Sequence, residues 1–548
     1  MAKKKSVNEV EVLELDYQLA ELPSSQHRAG LAGLVLMVRW LDRQSTNKGI
    51  CEITRIDKHG ATLRIDKQGL GALFDEVYAA SKEDKAEAKQ REKKTTKEVI
   101  PPLREEIIEE TDPKTGKTKM KTVFIYHAVI PKGAFLIDYD PSATGDKGIW
   151  VKLWRDVLWN IFRGVPATRK PFQDRADNEP TNDAMTAWDE LIQSSDTIVK
   201  LPSTYFIGAQ EFNAENVPFK DRARFQFLLH FWQFVVQIYV PEVVNNEGER
   251  KFVGYALAIP DVASLEWFCE ELPNILRNRN IEVSGYRPRD SVVDLAAESA
   301  LDILRRLQER LTSREGELST SDLVLGVDVI HIDKQGNNIK LLGVSRITPE
   351  TQMIDEYARL RGNLWNPLFK RQRLLNLVNH RAWYASFDSL LSRLPYKELF
   401  AEETFGFKYF SHDVQQTFEN EINKEANDQM SEEVNEGAAI RWEALIYKMI
   451  GAYISRKLKS KYSLEWEQVK NDPGKKKEYE EMREKIAKDA FLAVRSRTEI
   501  DFINYFASTI CSVSQYMDEE SFGALAHALY QETDKVRTLT MLALSARS

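Results

Sequence analysis

The residues of this 548-residue chain that could do chemistry are mostly cationic, and they gather in short clusters rather than in catalytic motifs. Arg359, Arg361, Lys370, Arg371, Arg373, His380 and Arg381 share one stretch with Trp365, Phe369, Trp383 and Tyr384. Guanidinium groups beside flat rings suit a phosphate backbone and unstacked bases, although a solvated helix face over an aromatic core has the same pattern. Arg277, Asn278, Arg279 and Asn280, then Arg287 and Arg289, crowd a Pro/Gly-bearing turn, and Arg and Asn are side chains that read base edges. Gln26, His27 and Arg28 open a helix whose N-terminus can hold a phosphate. Arg169 and Lys170 lie between Pro166 and Pro171, which stiffen the predicted loop around them. Further on come Lys459, Lys461, Arg495 and Arg497, with acidic residues nearly balancing them. The residues chosen as nucleic-acid contacts are Gln26, His27, Arg28, Arg169, Lys170, Arg277, Asn278, Arg279, Lys370, Arg371, Arg373, Arg381, Lys459, Lys461, Arg495 and Arg497. For each the competing reading is a packing role or a solvated surface.

Enzyme signatures are missing from the sequence. There is no P-loop, no G-x-S-x-G and no H-E-x-x-H. Gly69-Leu-Gly-Ala-Leu-Phe starts like a dinucleotide fingerprint but lacks the third glycine and follows a hairpin. His412-Asp413 is an HD dipeptide of the kind found in metal-dependent phosphohydrolases, with His380 as the one other histidine nearby. No catalytic residue, metal or cofactor is expected. Cys51, Cys269 and Cys511 lie far apart, which argues against a zinc site or a disulfide framework and suits a reducing cytosol. A net charge of −8 argues against coating nucleic acid through bulk charge, so any basic contact must be local. The longest clean apolar run, Leu31 to Val38, is too short to span a bilayer. The N-terminus lacks the apolar core of a signal peptide, and a cytoplasmic protein is expected.

The elements that must position these clusters form an α+β chain. A mixed α/β body with β-hairpins and helices is predicted over 1–350, followed by an all-α tail. Ser24 and Ser25 can cap a helix over 26–43, with Gly30 and Gly33 open to close backbone approach. Hairpins are predicted at 50–66 and 323–347, and a helix at 69–78. Residues 81–98 are nearly all Lys, Glu, Ala and Arg, which predicts an exposed helix or mobile arm within an insertion at about 80–121. Residues 123–130 and 134–139 read as strands, 150–163 as a Trp-rich helix, and 291–311 as a long helix. Phe225 to Val240 reads as one apolar helix striped by Gln226, His230, Gln233 and Gln237. After 350 helices are predicted at 352–361, 367–394, 411–429, 438–459, 478–494, 498–516 and 519–545, with Ala439, Trp442, Ile446, Met449 and Tyr453 as one buried stripe. A connector over 351–430 and a bundle over 431–548 complete the expected organisation.

Several segments, in order, resemble one family: Leu22-Pro-Ser-Ser-Gln-His-Arg-Ala-Gly-Leu-Ala-Gly-Leu, Gly164-Val-Pro-Ala-Thr-Arg-Lys-Pro-Phe, Phe206-Ile-Gly-Ala-Gln-Glu-Phe-Asn-Ala-Glu-Asn-Val-Pro-Phe, Leu228-Leu-His-Phe-Trp, Gly254-Tyr-Ala-Leu-Ala-Ile-Pro-Asp-Val and Leu539-Thr-Met-Leu-Ala-Leu-Ser-Ala. Together they resemble the Myxan-type large subunit of type I (I-A/I-B-like) CRISPR surveillance complexes, or Cascade. The resemblance implies a non-enzymatic, RNA-guided DNA-binding subunit beside the guide RNA's 5′ handle. Its body would help read a protospacer-adjacent motif (PAM) in double-stranded target DNA and open the duplex, and its tail would steady the displaced strand. The implied partners are the guide RNA, the backbone and 5′-handle-binding subunits, and a small subunit. A nuclease-helicase, or a transposon adaptor for RNA-guided transposition, would act downstream. The tail can also be made separately in such systems, and Met430 would open that product. Two rival readings are an HD-type phosphohydrolase using His412 and Asp413, and a scaffold that binds only proteins.

Overall fold

A computed structural model of the chain describes residues 12–44, 49–93, 96–111, 118–145, 147–160, 169–194, 196–200, 220–245, 249–313, 318–335, 338–393, 409–431, 442–512 and 517–547. The architecture is α+β, with small sheets in the first part and helices in the second. Two compact units divide it: residues 1–241 with 254–350, and residues 242–253 with 351–548.

The first unit is organised around one helix. Strand β1 (Val12–Gln18) leads into α1 (Ser25–Arg43), and Ser24 caps α1 by accepting the His27 amide at 3.4 Å. Fifteen of its nineteen residues are buried, so it is the spine of the core rather than a half-exposed helix. Gly30 and Gly33 allow this. A Cβ on either would lie 2.4 Å from the Leu228 carbonyl oxygen or 2.3 Å from that of Phe231. Strands β2 (Cys51–Ile56) and β3 (Gly60–Asp66) form the expected hairpin, and β3 lies between β1 and β2 in an antiparallel sheet. Asp66 then caps α2 (Lys67–Val77) through the Gly69 amide at 2.6 Å.

The charged insertion is neither a helix nor an arm. Residues 80–87 form β4, followed by β5 (Arg104–Thr111) and β6 (Thr118–Pro131), in the order β4–β6–β5. The charge-rich β4 finds its partner some forty residues on, in the alternating apolar strand β6, where Ala86 faces Ile125. Cross-strand charge pairs such as Arg104–Asp84 at 2.7 Å decorate this sheet, a pattern that no local propensity reveals. Residues Ala134–Tyr139, read as a strand, instead make a 3₁₀ turn, entered through Gly133 at φ +85°.

Helices α3 (Ile149–Asn160), α4 (Arg169–Ala176) and α5 (Asn182–Gln193) follow, then the short pair β7 (Ile198–Lys200) and β8 (Lys220–Arg222). Arg169 and Lys170 therefore start a helix with Pro171 in its first turn, where a missing N–H costs nothing, rather than sitting in a loop. The segment 225–240 is not one helix. It divides into α6 (Ala223–Leu228), a 3₁₀ turn at Trp232–Phe234 and β9 (Gln237–Val244), because the β-branched run Ile238-Tyr-Val-Pro-Glu-Val-Val pairs into the main sheet. Beyond Pro241, β9 continues into a hairpin with β10 (Arg250–Phe252).

The main sheet takes β11 (Tyr255–Val262) beside β9. After α7 (Leu265–Arg277) come the two-residue strands β12 (Val283–Ser284), β13 (Arg287–Pro288) and β14 (Val292–Val293), then α8 (Glu298–Thr312) and α9 (Thr320–Leu323). Strand β15 (Val324–Gln335) and edge strand β16 (Asn338–Ile347) complete the order β9–β11–β15–β16, with β14 parallel to the outer side of β9. The helix expected from 291 starts only at 298, because 289–293 form a 3₁₀ turn and β14.

The second unit is helical beyond Thr351: α10 (Thr351–Asn363), α11 (Pro367–Val378), α12 (Phe387–Arg393), α13 (Phe410–Ser431), α14 (Trp442–Lys457), α15 (Trp466–Val469), α16 (Pro473–Arg495), α17 (Glu499–Tyr505), α18 (Glu519–Gln531) and α19 (Thr533–Ser545). Two expected helices are each divided. Residues 367–394 break where His380 and Ser386 take positive φ, and 519–545 breaks at Glu532. Of the expected stripe, Ile446, Met449 and Tyr453 are buried, Trp442 is only half-buried, and Ala439 lies outside the described residues.

Candidate nucleic-acid interface

At the C-terminal end of α7, Arg277 and Asn278 are exposed. The Arg277 guanidinium lies over the Tyr139 ring, 4.6 Å from its centroid. The neighbouring Arg279 turns inward. It stacks on Trp150 at 4.2 Å and donates Nε to the Leu276 carbonyl at 3.0 Å. Burial pushes its pKa down to about 9, opposed by Asp140. Trp150 in turn donates to the Asn280 carbonyl at 3.1 Å, so the chain leaving α7 is pinned to α3. Beyond the pin, β12 and β13 form a hairpin with Gly285 at φ +66°. Ile281, Val283 and Tyr286 of this segment are more than half exposed. Lys152 lies 5.6 Å and Arg287 5.0 Å from the Tyr286 ring, and the exposed Arg289 pairs with Glu282 at 2.8 Å. The result is an apolar hairpin tip flanked by cations held on aromatic faces.

The second unit carries a different surface. Trp365 (63% exposed), Tyr409 and His412 form an exposed aromatic row, with ring centroids 5.8 Å and 6.4 Å apart. Asp413 sets this row. Its fully buried carboxylate accepts the Trp365 amide at 2.8 Å and the Asn366 amide at 2.6 Å. Burial raises its pKa, and those two amides pull it back. Asn366 then caps α11 through the Phe369 amide at 2.9 Å. The HD dipeptide is thus a backbone clamp with an exposed histidine beside it, and no group of three metal-ligating side chains occurs among the described residues.

The other chosen residues meet varied surroundings. Gln26 and His27 are buried, and His27 contacts Ser24 Oγ at 2.7 Å and Asp221 at 3.1 Å. Arg28 pairs with the buried Asp261 at 2.6 Å, which Arg346 also reaches at 2.7 Å. Gln26 and His27 are packed inside the first unit, and Arg28 is half-buried beside Asp261. Arg373 is buried between α10 and α13, paired with Glu356 at 2.8 Å and lying 5.3 Å from the Trp383 ring centroid. Lys370 and Arg371 are half-buried on α11, and Arg381 is exposed in the break after it. Lys459 and Lys461 are exposed in the turn after α14, with Lys459 paired to Glu465 at 2.9 Å. Arg495 donates to the Ser392 carbonyl at 2.7 Å, joining α16 to α12, and Arg497 donates to the Ala493 carbonyl at 2.6 Å at the end of α16. Lys170 is exposed and pairs with Asp174 at 2.8 Å, while the Arg169 side chain lies outside the described residues. Sequence reasoning missed the Lys152–Tyr286 hairpin and the part played by Tyr409. The signal for the hairpin was there in Ser284-Gly285, flanked by Val283 and Tyr286.

The fold joins a unit of mixed topology to a helical one, and each carries an exposed aromatic surface. Models of the type I-B CRISPR Cas8b N-terminal domain and Cas8b C-terminal domain match residues 50–317 and 324–547. The chain belongs to the Cas8b family, the large subunit of the type I-B CRISPR Cascade, and membership implies association with other Cascade components and guide RNA. Large subunits of this kind are generally non-catalytic. No curated protein matches the chain. No helix among the described residues is long and apolar enough to cross a membrane.

Proposed function

We propose that this chain is the non-catalytic, cytoplasmic subunit that reads the PAM, opens the target duplex and holds the displaced strand, for interference or for RNA-guided transposition. The observation that carries this reading is the pairing of two unlike surfaces. The hairpin at 281–289 offers apolar side chains flanked by Lys152, Arg287 and Arg289, with Arg277 exposed at the end of α7 before it, the combination that lets a protein wedge a base step while gripping phosphates. The Trp365–Tyr409–His412 row offers flat faces to unstacked bases, with Arg381 and Arg371 as the cations proposed to accompany it. In this reading the body over 1–350 does the motif reading, 351–430 connects, and 431–548 resembles the small subunit. Lys459 and Lys461 are its proposed strand contacts, with Met430 as the start of a separate product. Cleavage or transposition falls to a recruited nuclease-helicase or transposon adaptor.

Cascade assembled with and without this chain is tested on a duplex library that holds one matched target and randomised flanks. A flanking motif enriched only in its presence is expected. Trp365→Ala should weaken protection of the displaced strand, since each lost stacking contact costs about 1–3 kcal/mol, while leaving motif choice intact. Identical binding and motif choice without the chain would make it a protein-only scaffold.

A further inference from the structure

A cavity of about 180 Å³ in the first unit serves none of these roles. Two helical faces build it: Asp183, Thr186 and Glu190 from α5, and Gln226, Phe227 and His230 from α6 and the turn after it. Spacings of three and four put Asp183, Thr186 and Glu190 on one side of α5, and the other wall is the end of α6 with the turn that follows it. Its volume far exceeds the ~10–15 Å³ one water needs and falls below the ~300 Å³ of a drug-sized pocket, which fits a side-chain-sized guest.

The polar groups lining it are mainly acceptors. Asp183 accepts from the Tyr78 hydroxyl at 2.8 Å. Burial raises its pKa and that of Glu190, nearby Asp174 raises Asp183 further, and no basic group among the described residues offsets either shift. Gln226 is 7% exposed, and its buried Oε1 has no hydrogen-bond partner. An unmade buried acceptor costs about 1–3 kcal/mol, which a bound donor would recover. His230 is buried and stays neutral, its pKa pushed down to about 3, so it brings no positive charge. Asp183 and Glu190 stand two turns apart, roughly 10 Å along the axis, which suits flanking a guest from two sides better than chelating a point ion. The complement is a cation rich in N–H donors, with a flat face for Phe227 and a slender stem.

We propose that this cavity binds a guanidinium group on a short alkyl stem, with Asp183 and Glu190 accepting its forked N–H groups and Gln226 Oε1 accepting another. The guest is either a free guanidino compound or an arginine side chain of a partner protein. Calorimetric titration of the full chain with agmatine should show one site, and the neutral comparator N-butylurea should show none. Asp183→Asn with Glu190→Gln should weaken agmatine binding at least tenfold. Gln226→Leu, which keeps both carboxylates and guards against a misfolded double variant, should weaken it several-fold. Acetyl-Gly-Arg-Gly-amide separates the sources. A peptide binding as tightly as agmatine assigns the site to a partner's arginine, and a tenfold weaker peptide assigns it to a free ligand. Failure of both agmatine and peptide to bind overturns the proposal, as does agmatine binding unchanged in the double variant and in Gln226→Leu. No nucleic acid enters this test, so its outcome is independent of the DNA-binding reading.

Discussion

The N-terminus of α1 and the C-terminus of α7 carry similar sequence, a polar amide beside arginine or histidine at the end of a helix, and the fold uses them in opposite ways. Gln26 and His27 vanish into the core because Gly30 and Gly33 draw α1 onto the carbonyls of Leu228 and Phe231. Arg277 and Asn278 remain outside because Arg279 and Trp150 pin the chain just beyond them. A basic helix end is therefore not a phosphate site until the packing of the rest of its helix is known.

The largest way to break this contrast is Gly33→Val. Its Cβ would enter the space of the Phe231 carbonyl, and thermal melts should show a loss of about 3 kcal/mol, at the upper end of ordinary overpacking. Next, Asp261→Ala leaves Arg28 and Arg346 without their shared partner. Denaturant unfolding should register about 2–3 kcal/mol, below the ~3–5 of a fully buried pair because solvent reaches both guanidinium groups.

His230 gives a pH-dependent comparison. Its native pKa lies below the unfolded value, so below about pH 6.5 the unfolded chain binds a proton that the native chain refuses. Stability should fall with acid by about 1.4 kcal/mol per pH unit more in the wild type than in His230→Gln. The smallest stability effect belongs to Arg277→Ala with Asn278→Ala, within about 0.5 kcal/mol. Duplex affinity of the assembled complex should nonetheless drop, with a salt slope shallower by roughly 0.9 for each phosphate contact removed. Equal affinity and slope would remove this helix end from the interface.

Legibility followed locality. The cap at Ser24, the hairpins at 51–66 and 324–347 and the helical second unit rest on neighbours within a few residues, and their sequence patterns show them. The strand β4 was misread because its apolar partner lies in β6, outside any local window. The apolar run at 225–240 shows a helix-like stripe, but its last residues are β-branched and aromatic, and β9 pairs there with β11 and β14. At the candidate site the positions of charge were readable, but burial was not. Arg373 and Arg381 look alike in sequence, yet one is 4% exposed and committed to Glu356, and the other faces water.

The Asp413 clamp also sets an order of events during synthesis. The amides of Trp365 and Asn366 are made 48 and 47 residues before the carboxylate that accepts them. At about 5–20 residues per second, the nascent chain waits roughly 2–10 s before that acceptor exists. Through that interval α10 and α11 must be arranged without their fastening.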